Sequence, residues 1–171
     1  MMSKRAIILF PQFGSNTDLI QDIRDRYDPL ASKIAPHITL VFPFESGISS
    51  KVLYRHIKNS LQGIEAFSLG MQGISHEAEN YLFLNLIKGQ EDIIKIHDLL
   101  YSGTLARFLS KKYIYQPHLT VGHLPDSDAA KTAMKELKHF DYKFETKIDK
   151  VTTEMILEDL SSKVYFEIKL K

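Results

Sequence analysis

The chain has 171 residues, 44% hydrophobic and 25% charged, a balance that excludes disordered, fibrous and collagen-like classes. It contains no cysteine, which rules out disulfides, thiolate metal sites and a cysteine nucleophile and is compatible with a reducing cytosol. Lysine plus arginine number 22 against 21 aspartate plus glutamate, a net charge of +1; a protein gripping long nucleic acid through many phosphates would be more basic, so a short end or a single nucleotide is the favoured nucleic-acid ligand.

No segment approaches the roughly 20 consecutive apolar residues that span a membrane. The first apolar run, Ala6 to Phe10, meets Pro11 and is shorter than a secretory core of about 7 to 15 residues. The expectation is a cytoplasmic protein with no membrane association and no evident obligate protein partner. No linker or low-complexity stretch divides the chain, so residues 1–171 are expected to form a single domain.

In chain order, Ala6 to Pro11 reads as a buried strand, and Asn16 or Thr17 can start a helix running to Tyr27 before Pro29 stops it. A strand follows at about His37 to Phe44. Leu53, Ile57 and Leu61 recur every four residues on a predicted amphipathic helix from Ser50 to Leu61. Phe67 to Ile74 and Tyr81 to Ile87 read as a hairpin across the polar turn Ser75 to Asn80. Glu91 to Leu109 has a helical period interrupted at Gly103, and His118 to Leu124 returns to strand. Ser127 to His139 carries Ala130, Ala133, Met134 and Leu137 on one helical face. The chain closes in strands through Tyr142, Phe144 and Ile148 and then Val164 to Leu170, paired through a turn near Asp159 to Ser162.

Two segments repeat one pattern: Pro36-His37-Ile38-Thr39-Leu40 and Pro117-His118-Leu119-Thr120-Val121. With 7 histidines, 6 prolines and 8 threonines, composition alone gives roughly 0.01 Pro-His-x-Thr strings in such a chain, so two arise on the order of once in ten thousand. In a strand, residues i and i+2 share a face, so each histidine projects with its threonine while the apolar residues face a core. Proline is tolerated at a strand's first residue, where a ladder donor can be missing. Two imidazoles with ordinary pKa near 6.5 can be held one neutral and one protonated, the division that general acid–base catalysis needs. Two hydroxyls can donate to phosphoryl oxygens as these gain charge.

The paired motifs, 81 positions apart, resemble those of the two-histidine phosphoesterase superfamily, which includes bacterial 2'-5' RNA ligases and 2',3'-cyclic phosphodiesterases. The resemblance extends over the whole chain and is strongest to the small bacterial 2'-5' RNA ligase-like group, through Arg26-Tyr27-Asp28-Pro29 before the first motif and Pro43-Phe44 after it. It implies an α+β, bilobal, pseudo-twofold duplicated fold, in which two antiparallel sheets face one another across a central groove with helices outside. It implies His37 and His118 as acid and base and Thr39 and Thr120 as phosphate ligands, with neither cofactor nor metal. The implied substrate is a nucleotide or an RNA 2',3'-cyclic phosphate end, hydrolysed or, in the reverse sense, ligated. A binding module that keeps the groove without turnover is the alternative.

One departure concerns the position five after the second histidine, where many members carry arginine and this chain has His123. On an unbroken strand His123 faces away from His118. Phe44 and Tyr115 are candidates to stack a nucleobase, against their ordinary role as core residues. Arg26 is a candidate phosphate contact, against an ion pair with Asp22 one helical turn back.

Overall fold

The computed structural model describes residues 2–171. Among them, eight strands form one antiparallel sheet in the order β6-β3-β4-β5-β2-β1-β7-β8. The strands are β1 Ser3–Leu9, β2 Ile38–Ser46, β3 Phe67–His76, β4 Tyr81–Lys88, β5 His118–His123, β6 Phe144–Ile148, β7 Lys150–Ile156 and β8 Ser162–Lys169. Four helices separate them: α1 Thr17–Tyr27, α2 Ser50–Ser60, α3 Gln90–Leu100 and α4 Ser127–Glu136. The expectation of two separate sheets is therefore corrected. The two four-stranded halves meet where β2 pairs with β5 through Ile38 and Leu119. Pro117 directly precedes β5 and Pro36 stands two residues before β2, and neither has an N–H to extend the ladder.

Local chemistry sets the helix limits. α1 buries Ile20, Ile23 and Arg24, and stops at Asp28, whose φ of −114° and ψ of 111° are extended, as a residue before proline must be. Ser49 caps α2 by accepting from Val52 N, and Asp126 caps α4 by accepting from Ala129 N at 2.8 Å. α3 starts after Gly89, whose φ is +85° and where a Cβ would lie 2.7 Å from Ser68 O. It ends at Leu100; the predicted run through Leu109 continues instead as a short 3-10 stretch, Gly103–Phe108. Among the described residues, no helix is long and apolar enough to cross a membrane.

The hairpin predicted around Ser75 to Asn80 is β3–β4. The closing strands differ from expectation. β6 pairs with β3, and β8 pairs with the intervening β7, which also pairs with β1. The turn near Asp159 joins β7 to β8, with Leu157 N donating to Ser161 O at 2.8 Å.

All four helices bury their apolar stripes in a core on one face of the sheet, with Ile7, Leu9, Ile38 and Leu40 from one half and Leu82, Leu84, Leu119 and Val121 from the other. α1 packs chiefly on β5 and α3 on β2, so each half is covered by a helix that leads into the other half's neighbour. The opposite face is left to the motifs.

Candidate active site

The two motifs have the same burial profile: proline buried, histidine half-buried, the next residue buried, threonine half-buried, the next buried. This is the expected alternation, and it puts His37, Thr39, His118 and Thr120 on the face away from the helix core. Continuing the Ile38–Leu119 pairing by one residue each way sets Thr39 opposite His118 and His37 opposite Thr120. The four side chains share one patch across the seam between the halves.

Each imidazole is oriented in the same way. His37 Nδ1–H donates to Ala35 O at 2.9 Å, and His118 Nδ1–H donates to Gln116 O at 2.7 Å. A carbonyl acceptor requires the proton on Nδ1, so in both neutral rings Nε2 carries the lone pair. The surroundings of the rings differ. Phe83 of β4 stacks on His118 with ring centroids 3.5 Å apart, whereas Phe10 meets His37 edge-on at 6.4 Å.

Burial holds both histidines below the ordinary imidazole pKa, opposed in each by the backbone carbonyl. His37 is lowered further by the Arg24 guanidinium and by the charge of His118, and raised by Asp28. His118 is raised by Glu77.

Beyond each motif the strand carries a β-bulge at the same place. Thr39 pairs with Ile8 and Val41 with Ile7, leaving Leu40 as the extra residue; Thr120 pairs with Phe83 and Gly122 with Leu82, leaving Val121. Two consecutive residues thus face the core, and the next residue returns to the motif face. His123 is consequently on the face of His118, opposite Tyr81, with which it stacks at 4.0 Å and 5°. The expectation from unbroken alternation is overturned by that one extra residue. Tyr81 lies 5.9 Å from Phe83, so rings run from exposed His123 through Tyr81 and Phe83 to His118.

The other candidate contacts move away. Phe44 is 5% exposed and packs on Phe108 at 4.9 Å in the core. The exposed ring after the first motif is Phe42, the counterpart of His123. Arg26 is exposed and lies over the Tyr27 ring at 4.9 Å; the Tyr27 hydroxyl bonds to Glu136. Tyr115 donates its hydroxyl to Thr39 O at 2.7 Å and stacks face to face on His97 at 3.6 Å, so its ring serves the fold of the motif rather than a base.

Sequence reasoning missed three contributors. Phe83 and Asn85 alternate with core residues Leu82 and Leu84, the signal that could have placed them beside the motif. Asn85 is opposite His118 and accepts from the Ser75 hydroxyl at 3.0 Å. Arg24, at 1% exposure, bonds Asp28 at 2.9 Å and Ile34 O at 2.8 Å, tying down the segment that delivers His37. Its signal was the Arg24–Asp28 spacing ahead of Pro29.

A single antiparallel sheet whose two central strands each present Pro-His-apolar-Thr on one face defines the class of two-histidine phosphoesterases. Residues 11–154 match the profile of the 2'-5' RNA ligase superfamily, and the chain belongs to that family. A Bacillus licheniformis protein named "putative phosphoesterase" is 29% identical over 165 residues, covering 95% of each chain, and one from Bacillus cereus with the same name is 30% identical over 155 residues, covering 86% of this chain and 85% of its own. Among solved structures, E. coli LigT complexed with 3'-AMP superposes with a TM-score of 0.69 at 12% identity, over 100% of this chain and 99% of that one. Kluyveromyces marxianus Usb1 gives 0.56 at 8% identity, over 98% of both chains. These two likenesses show the fold.

Proposed function

We propose that this chain is a metal-independent phosphoesterase that cleaves a 2',3'-cyclic phosphate or a 2'-5' phosphodiester in an RNA end, an oligonucleotide or a small nucleotide. The observation that carries the reading is the matched pair of Nδ1-anchored histidines, each beside a threonine on the same sheet face. One imidazole takes a proton from water through Nε2 as the oxygen attacks phosphorus. The other gives its Nε2 proton to the departing ribose oxygen, so a P–O bond forms, a P–O bond breaks and a phosphate monoester and a free hydroxyl result. Exchange of one proton with solvent restores the pair. Thr39 and Thr120 donate to the non-bridging oxygens as charge builds on them. With a 5'-hydroxyl in place of water, the same proton movements join rather than cleave.

Support for a nucleotide ligand comes from relatives of the same fold: LigT has been crystallised with 3'-AMP, ATP, NADP+ and phosphate. The test is to incubate the protein, in EDTA, with nucleoside 2',3'-cyclic phosphates, ADP-ribose 1'',2''-cyclic phosphate and 2'-5'-linked dinucleotides. Expected is turnover that survives EDTA and falls on the order of 10² to 10⁴ in His37→Ala and in His118→Ala. Activity lost in EDTA and restored by a metal overturns the mechanism. Tight nucleotide binding without turnover establishes the non-catalytic binding module instead.

A further inference from the structure

The β2 bulge interrupts the register of its ladder with β1 between Thr39 and Val41. Pro117, the residue before His118, has no N–H to offer, and β2 and β5 share one register pair. Three side chains from α3 and the segment after it bond to the backbone of this stretch. Tyr115 O–H donates to Thr39 O at 2.7 Å, His97 Nδ1–H donates to Leu40 O at 2.7 Å, and Phe42 N–H donates to Tyr101 Oη at 3.0 Å. The three bonds bracket the bulged residues Leu40 and Val41. The side chains also pack on one another. His97 stacks on Tyr115 at 3.6 Å with 2° between the planes, and meets Tyr101 at 4.8 Å and 64°. His97 and Tyr101 are buried, at 4% and 6% exposure.

Tyr115 sits three residues before His118, while its hydroxyl holds the carbonyl of Thr39, the threonine of the other motif. The clamp therefore connects the two halves across the seam at the level of the reacting groups. We propose that Tyr115 is a positioning residue, which, with His97 and Tyr101, fixes the bulge after the first motif and thereby the direction of the Thr39 hydroxyl relative to His118. Burial pushes the pKa of the Tyr115 hydroxyl up, so it remains a protonated donor at every pH at which the histidines titrate. A bulge without these donors would leave buried carbonyls unpaired and free to relax toward other partners. Displacement of a phosphate ligand by about 1 Å is enough to cost catalysis up to about 10²-fold.

The inference rests on the phosphoesterase reading above. The experiment compares wild type, Tyr115→Phe, Thr39→Val and the double variant, using adenosine 2',3'-cyclic phosphate or whichever compound in the panel wild type turns over fastest. Tyr115→Phe keeps the ring stacked on His97 and removes one hydroxyl. Expected is a roughly tenfold lower kcat with KM within about twofold, and less than about a twofold further loss when Tyr115→Phe is added to Thr39→Val, because the two changes act through one hydroxyl. An unchanged kcat, or the same tenfold loss in the Thr39→Val background, overturns the role. If wild type turns over nothing, the phosphoesterase reading fails and the clamp is judged by NMR. A Thr39 χ1 rotamer, read from three-bond couplings to Cγ2, that changes in Tyr115→Phe supports positioning; one that stays the same overturns it.

Discussion

The two segments that deliver the histidines, residues 28–36 before His37 and 101–117 before His118, reach the same end by unlike means. Both follow an 11-residue helix, and both are governed by the residue three positions before that helix ends: Arg24 in α1 and His97 in α3. Arg24 acts on its own segment, bonding Asp28 and the carbonyls of Leu30 and Ile34. His97 instead bonds Leu40 on the opposite half and stacks on Tyr115 of its own segment. The first segment is thus tied to itself by charge, and the second is tied to its partner strand by aromatic rings. The identical anchoring of the two imidazoles shows that the site constrains the Nδ1 bond and leaves its support free to differ.

Removing each support sharpens the contrast. Arg24→Met leaves the Asp28 carboxylate, 6% exposed, without its cation; loss of one member of such a buried pair costs about 3–5 kcal/mol. Urea unfolding of Arg24→Met should show that loss, and Arg24→Met/Asp28→Asn should recover part of it. A cost under about 1 kcal/mol for the single variant would show that charge does not hold the first segment.

The next effect tests the bulges. Their equivalent positions are Val41 in the first half and Gly122 in the second, where Tyr27 of α1 sits so close that a Cβ on Gly122 would lie 3.0 Å from its Cβ and 3.1 Å from Leu82 Cδ1. Gly122→Ala is expected to cost about 1–3 kcal/mol by overpacking, read from the denaturation midpoint. A neutral result would mean that α1 can move off β5.

The smallest effect is at His97. His97→Gln should cost about 1 kcal/mol through a lost hydrogen bond to Leu40 O. It should also change the pH dependence. Burial lowers the pKa of His37, His97 and His118 in the fold, so below the ordinary value of about 6.5 these three rings bind more protons in the unfolded chain than in the native one. The contribution of these three rings to stability therefore rises with pH toward about 6.5 and levels above it. In His97→Gln that rise should be shallower. An unaltered slope would show that the buried ring contributes no proton linkage.

Much of the site was legible because it obeys a two-residue period: histidine and threonine face one way and Ile38, Leu40, Leu119 and Val121 the other. α1 was legible from its start at Thr17 to the Asp28-Pro29 stop. The bulges were not, since one extra residue reverses every face beyond it, and only on an unbroken strand does His123 face away from His118. Arg24 was hidden on the apolar stripe of α1, where an arginine reads as an interruption until its buried partners are known. Tyr115 was legible as an aromatic beside the motif, but its role depends on contacts with β2 and α3, distant in sequence.

The placement of β1 between β2 and β7 has a consequence for the order in which the molecule can be assembled. Residues 5–8 pair with residues 152–155, so the half that bears His37 lacks two of its four strands until residues 150–169 are available. The half that bears His118 draws on no residue beyond 148. Contacts of such long sequence separation form slowly. In chain order every strand of the second motif's half precedes β7 and β8, so the first motif's half is the later of the two to be complete.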